Sequence, residues 1–205
     1  MAAPGTHFFP GDGTILNSAQ PLLIYRAARA ADSAAIERVF AAQASPPAWH
    51  DGVFPWQYSN PHAREALGVA CGSARVIFGG PNGAEIALAA GDVAVVPTGV
   101  GHCGMFASSD LVIVGAYPAS TRYTTAIRSV AISTVALPAA DPVLGTDGPL
   151  RTLRPAAYGS ATCFLEKTPP YRARRHLAGN SHAGLPPRLS GSGGNRPNPA
   201  EAQPD

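Results

Sequence analysis

Between Gly52 and Gly72 the sequence reads GVFPWQYSNPHAREALGVACG, a stretch that places Tyr58, Asn60 and Glu65 close together with Trp56 and His62 beside them. A second stretch, GDVAVVPTGVGHCGMF from Gly91 to Phe106, adds His102 and Cys103. A carboxylate and an imidazole are the usual pair for moving protons, and both ligate divalent metals. Tyr58 and Asn60 suit a different task. A phenol donates one hydrogen bond and a carboxamide two, whereas a neutral amide is a poor transition-metal ligand and a phenol must first lose a proton of pKa about 10. Residues two apart on a strand share a face, so Trp56, Tyr58 and Asn60 are expected to point the same way.

The elements that position these residues read as short strands. PLLIYRAA (Pro21 to Ala28) predicts one, and DSAAIERVFAAQ predicts a helix capped by Asp32 or Ser33, with Ile36, Val39 and Phe40 on one face. SPPAW ends that helix, because proline cannot continue it. From Gly52 onward, GVFPWQYS, EALGVACG, SARVIFGG, AEIALAAG, DVAVVPTG and LVIVGAYP are apolar or alternating runs separated by Gly, Pro and Asn. Asn82-Gly83 between two of them is a hairpin signal, since both residues tolerate positive φ. The pattern is that of an all-β antiparallel sandwich or barrel. RSVAISTVALP (Arg128 to Pro138) predicts a further strand and DPVLGTDGPL a turn-rich closing segment.

Composition narrows the function classes. The 205 residues suffice for one domain, and 22 glycines with 21 prolines favour turns over long helices. A net charge of +2 gives no reason to expect a nucleic-acid or membrane partner. Three cysteines without framework spacing, no secretory leader at the start and no long apolar run point to a soluble, cytoplasmic protein. Beyond about residue 153 the chain turns basic and rich in Gly, Pro and Ser, so 154–205 reads as a mostly disordered tail.

The two stretches together resemble the motifs of the cupins, double-stranded β-helix barrels that often hold one metal ion. The first motif is glycine, five residues, His-x-His, four residues, Glu, six residues, glycine. Gly52, positions 58 and 60, Glu65 and Gly72 stand at those places. The second is matched by Gly91, Pro97, Gly99 and His102, with Phe106 where asparagine is usual. Longer segments, from HFFPGDGTILNSAQPLLIYR to LPAADPVLGTDGPL, are similar to single-domain microbial cupins of unestablished function. The resemblance implies a cupin domain over 1–153, with a strand and helix in 1–48 and the barrel in 49–153, and a homodimer.

It also implies that positions 58, 60, 65 and 102 converge on one interior point. Here Tyr58 and Asn60 replace two histidine ligands, and Arg64 stands where a further histidine is frequent, so only Glu65 and His102 carry over as metal ligands. The expectation is an altered site with no cofactor, a divalent metal (Mn, Fe, Ni or Zn) being the alternative. The pocket, lined by Trp56, Tyr58, Asn60, Glu65 and His102, would bind a small organic ligand, with Tyr58, Asn60 and His102 supplying hydrogen bonds to Glu65. The alternative is an enzyme: a metal-dependent oxygenase or decarboxylase, or an isomerase or epimerase with His102 and Glu65 as the catalytic pair.

Two other motifs do not hold. GVGHCG matches a dinucleotide-binding glycine pattern but lacks the helix that must follow. GNSHA, near the end of the chain, has no strand before it to make a nucleophile elbow. Cys103 is expected to face away from the barrel centre as a small core residue.

Overall fold

The structure, a computed structural model, describes residues 2–119, 121–127 and 140–151. Its strands are β1 (Gly5–His7), β2 (Leu22–Tyr25), β3 (Pro47–Asp51), β4 (Glu65–Cys71), β5 (Ser73–Phe78), β6 (Ala84–Ala89), β7 (Val93–Val96), β8 (His102–Ala107) and β9 (Val112–Ala116). The helix α1 (Ser33–Ala42) lies between β2 and β3. One antiparallel sheet runs β1-β2-β7-β4-β9-β3, and a second runs β6-β5-β8. From β4 onward the chain passes to the small sheet for β5 and β6, returns for β7, crosses again for β8 and returns for β9. That winding makes the fold a double-stranded β-helix.

Both faces of the large sheet are covered, which explains why its strands read as unbroken apolar runs rather than alternating ones. Leu22 and Ile24 of β2, Leu67 and Val69 of β4, and Ala94 and Val96 of β7 face the small sheet. The intervening Leu23, Tyr25, Ala66, Ala70, Val93 and Val95 pack with Ile36 and Phe40 of α1. The strands within residues 1–48 belong to this same sheet, with β2 paired to β7 through Leu23↔Val95 and Ile24↔Ala94.

Asp32 is the residue that starts α1, its carboxylate accepting from the backbone of Ala34 and Ala35. Such a cap stabilises a helix by ~1 kcal/mol. The helix packs so close to β4 that a Cβ at Gly68 would stand 2.6 Å from Ile36 Cγ2. Glycine is required there for space, not for backbone freedom.

Two expectations are corrected. The β5–β6 hairpin forms, but its left-handed residues are Gly79 (φ 93°) and Gly80 (φ 92°) rather than Asn82-Gly83. The N-terminal segment sets this geometry: Phe9 fills the space a Cβ on Gly79 would need, and Asn17 Nδ2 donates to the Gly79 carbonyl at 2.9 Å. The strand expected over GVFPWQYS lies upstream instead, as β3. Pro47 is tolerated at the start of an edge strand, whereas Pro55 interrupts the later run.

The closing segment behaves as its turn residues suggest. Asp141 is fully buried and accepts from Tyr25 Oη (2.5 Å) and from the amides of Val143 (2.8 Å), Leu144 (3.1 Å) and Leu150 (3.4 Å). The strand expected over 128–138 and the tail after 153 lie outside the described residues. Among the described residues no helix is long and apolar enough to cross a membrane.

Candidate functional site

Glu65 is the first residue of β4 and His102 the first of β8, so each enters the interior from a different sheet at the same end of the barrel. Glu65 shares strand parity with Leu67 and Val69, which carries its side chain inward. His102 pairs with Phe78 across β5–β8 and with Tyr58 through an isolated bridge, Tyr58 N donating to His102 O (3.1 Å) and His102 N to Tyr58 O (2.8 Å). Its imidazole therefore sits between the Tyr58 ring, with centroids 4.0 Å apart, and the Phe78 ring.

The two functional groups meet. His102 Nε2 lies 3.3 Å from Glu65 Oε2, with the side chains 0% and 2% exposed. The imidazole is oriented from behind by its Nδ1, 3.2 Å from the Val100 carbonyl oxygen. A carbonyl can only accept, so this contact places a hydrogen on Nδ1. Neither Nε2 nor Glu65 Oε2 makes a hydrogen bond, although both are shut off from solvent. Buried polar atoms without partners are uncommon, and here two of them lie side by side.

The donor to Glu65 is a residue the sequence reading missed. Tyr117 Oη donates to Glu65 Oε1, and Trp49 Nε1 approaches the same hydroxyl at 3.4 Å. Tyr117 follows β9 one step beyond the pair Ala66↔Ala116, which sets it beside Glu65. Trp49 lies opposite Gly115, whose missing side chain leaves room for the indole. Tyr123 stacks on Tyr117, with centroids 3.9 Å apart.

Tyr58 is inside and beside His102, but Asn60 has another job. Its Oδ1 accepts from the Ala63 amide (3.2 Å) and the Thr124 amide (3.5 Å), holding the turn before β4. It is not the donor expected for Glu65, whose Oε1 takes the Tyr117 hydroxyl and whose Oε2 has no partner. Trp56 does not line the site. It is 48% exposed and stacks on Phe54, which in turn meets Tyr58 edge-on. The strand alternation that predicted otherwise breaks at Pro55. His62 is exposed on the turn, and Cys103 is buried, its thiol pKa pushed up by burial. Arg64 is half-buried, and burial lowers its pKa against the opposing charge of Asp141.

A divalent metal of the kind the resemblance implies needs three or four nitrogen or oxygen donors. The phenol of Tyr58 is held protonated, its pKa raised well above the ordinary value first by burial and then by the charges of Glu65 and Cys103. Tyr117 is raised likewise by burial and by Glu65. With Asn60 Oδ1 engaged, Glu65 Oε2 and His102 Nε2 are the two donors left. Among the described residues no three His, Cys, Asp or Glu side chains stand close enough to share an ion. A surface groove of about 460 Å³, lined by residues including Arg26, Arg75, Ala87 and Phe106, has no residue in common with this site.

Comparison with known proteins gives a relationship without a known activity. No family model matches the chain. It is 35% identical over 154 residues to YjlB of Bacillus subtilis (strain 168), an uncharacterized protein, covering 71% of this chain and 93% of YjlB. The chain belongs to the YjlB family. Solved structures similar to this YjlB-family chain include procruciferin, an 11S globulin of Brassica napus, at 19% identity and a TM-score of 0.30. That match covers 36% of this chain and 21% of procruciferin. Another is an uncharacterized Klebsiella pneumoniae protein with a double-stranded beta-helix domain, at 18% identity and a TM-score of 0.29, covering 58% and 90%.

Proposed function

We propose that this YjlB-family protein binds a small organic ligand inside its β-helix, at Glu65 and His102, and holds no resident metal there. The observation that carries the reading is the pair of unpartnered atoms, Glu65 Oε2 and His102 Nε2, 3.3 Å apart and shielded from water. Leaving a polar group buried and unpaired costs about 1–3 kcal/mol, more when it is charged. A ligand group that satisfies both atoms recovers that penalty on binding. Tyr123, stacked on Tyr117, and Phe54, edge-on to Tyr58, are 38% and 39% exposed.

The test joins metal analysis of the purified full chain to a thermal-shift screen of small polar compounds. The expected result is far less than one metal per chain, together with compounds that raise the melting temperature of the wild type but not of His102→Gln. Stoichiometric metal would overturn the metal-free assignment, and a screen without any hit would overturn ligand binding.

A second reading rests on the anchored imidazole. With Nδ1 held by Val100, Nε2 and the adjacent carboxylate form a pair able to move a proton, as an isomerase or epimerase requires. Incorporation of solvent deuterium into a bound compound would separate this reading from simple binding. Its absence for every compound bound would remove it.

A further inference from the structure

We infer that residues 121–127 are a flap over the Glu65–His102 site, and that this flap lifts to admit a ligand. The inference rests on the ligand-binding reading and names how that site is reached. Glu65 and His102 are 2% and 0% exposed, so something must move before any molecule touches them. The sheets are poor candidates. Strand β4 is paired on both sides, with β7 and β9, and β8 is paired with β5. Residues 53–60 are also firmly tied, running along β8 and the turn before it. Gly104 N donates to Phe54 O (2.8 Å), Tyr58 and His102 exchange two backbone bonds, and Gly99 N donates to Asn60 O (2.7 Å).

Residues 121–127 lie one layer further out and are held more lightly. Arg122, Tyr123, Thr124, Thr125 and Ile127 are exposed. Among the described residues, the backbone ties are the Ser59–Ala126 pair (2.8 Å each way) and the turn bond from Thr121 N to Pro118 O (3.0 Å). The others are the long contact from Thr124 N to Asn60 Oδ1 (3.5 Å) and the Tyr123 ring on Tyr117. A surface segment with so few bonds opens at a far lower free energy than a paired sheet. What it covers is polar and leads to the site. Ser59 and Asn60 are 5% and 6% exposed, and the Tyr117 hydroxyl under Tyr123 reaches Glu65 Oε1. Position 60, a metal-ligand place in the motif, here carries the catch of the flap.

The test locks the flap and asks whether the interior is still reached. Directly opposed residues in a pair such as Ser59–Ala126 have Cα atoms about 5.5 Å apart, a span that a disulfide bridges. Ser59→Cys/Ala126→Cys is therefore made in the full chain, with Cys71→Ser and Cys163→Ser to prevent mispairing. Diethyl pyrocarbonate, a small reagent for imidazoles, should label His102 in the reduced chain and at least about tenfold more slowly in the oxidised one. Labelling is located by peptide mass spectrometry, at one pH for both states, so that access alone differs. In the wild type, the Ser59 and Ala126 amides should exchange with deuterium at least about a hundredfold faster than those of β4 and β7. Tyr123→Ala serves as the second variant if the disulfide fails to form, and loss of the ring stack should speed labelling about two- to tenfold. Equal labelling of the oxidised and reduced chains would overturn the flap as the way in, and so would no labelling of the reduced chain. Exchange of Ser59 and Ala126 only together with β4 and β7 would overturn the flap itself. None of these measurements uses a ligand, so the flap can fail while the compound screen succeeds, and an empty screen beside a working flap removes ligand binding alone.

Discussion

Tyr117 is the residue on which the buried carboxylate depends. Its hydroxyl donates to Glu65 Oε1 and is itself approached by Trp49, so Tyr117→Phe removes a hydrogen bond to a charged group while keeping the ring. The expected loss is about 1.5–3 kcal/mol, read as a fall in the urea midpoint with unchanged slope. A cost near zero would mean that Glu65 has another donor. Restoring histidines at positions 58 and 60 has two expected effects of opposite sign. Tyr58→His/Asn60→His brings two imidazoles toward Glu65 and His102, so zinc affinity measured by competition with a chelator should rise above that of the wild type. The same change takes Asn60 Oδ1 away from the Ala63 and Thr124 amides, so the metal-free variant should melt at a lower temperature. Glu65 and His102 were legible in the sequence because motif spacing fixes them. Tyr117 was not, because its partner is set by the β4–β9 register, which no local pattern carries.

At the scale of elements, the helix–sheet contact is the tightest point to probe. Gly68→Ala places a methyl 2.6 Å from Ile36 Cγ2 and 3.2 Å from the Phe40 ring, so α1 must retreat from β4 at a cost of about 1–3 kcal/mol. Ile36→Ala opens that space and alone costs about 2–5 kcal/mol as a buried large-to-small change. Combined, the two should cost less than their sum by more than about 0.5 kcal/mol, and a strictly additive double-mutant cycle would show that the methyl meets no resistance. This packing also shows what was readable beforehand. The period of Ile36 and Phe40 and the Asp32 cap gave the helix. Apolar runs gave β4, β7 and β9, because a sheet covered on both faces leaves that signature, and alternation gave β5 and β6 of the small sheet. Strand β3 was misplaced because Pro46 and Pro47 argue against a strand everywhere except at an edge, and edge position is a property of the assembled sheet. The hairpin glycines were misassigned for a similar reason: Phe9, some 70 residues upstream, fills the space beside Gly79, a contact no local pattern carries.

Across the molecule, tyrosines stand at three separate joints. Tyr25 ties β2 to the closing segment through Asp141, Tyr58 bridges to the small sheet at His102, and Tyr117 ties the end of β9 to Glu65. All three phenols have their pKa raised above the ordinary value, chiefly by burial and then by a neighbouring carboxylate. The consequence for stability has a definite sign. A phenol with a raised native pKa stays neutral in the folded chain while its unfolded counterpart ionises near pH 10, so its contribution is intact below that pH and declines above it. Each such group removes about 1.4 kcal/mol per pH unit once the unfolded value is passed. Three acting together remove roughly 4 kcal/mol per unit, enough to exhaust an ordinary stability of about 5–15 kcal/mol within a few pH units above 10. Base titration followed by phenolate absorbance and far-ultraviolet circular dichroism should show three of the six tyrosines ionising in one cooperative step that coincides with loss of the β signal. Smooth ionisation of all the tyrosines near pH 10 with the fold retained would mean that water reaches these joints. Tyr117→Phe should shift the cooperative step to lower pH: it removes one ionising group, which flattens the decline, but it also starts the protein from a lower stability. The second effect dominates near the onset, where the decline has only begun.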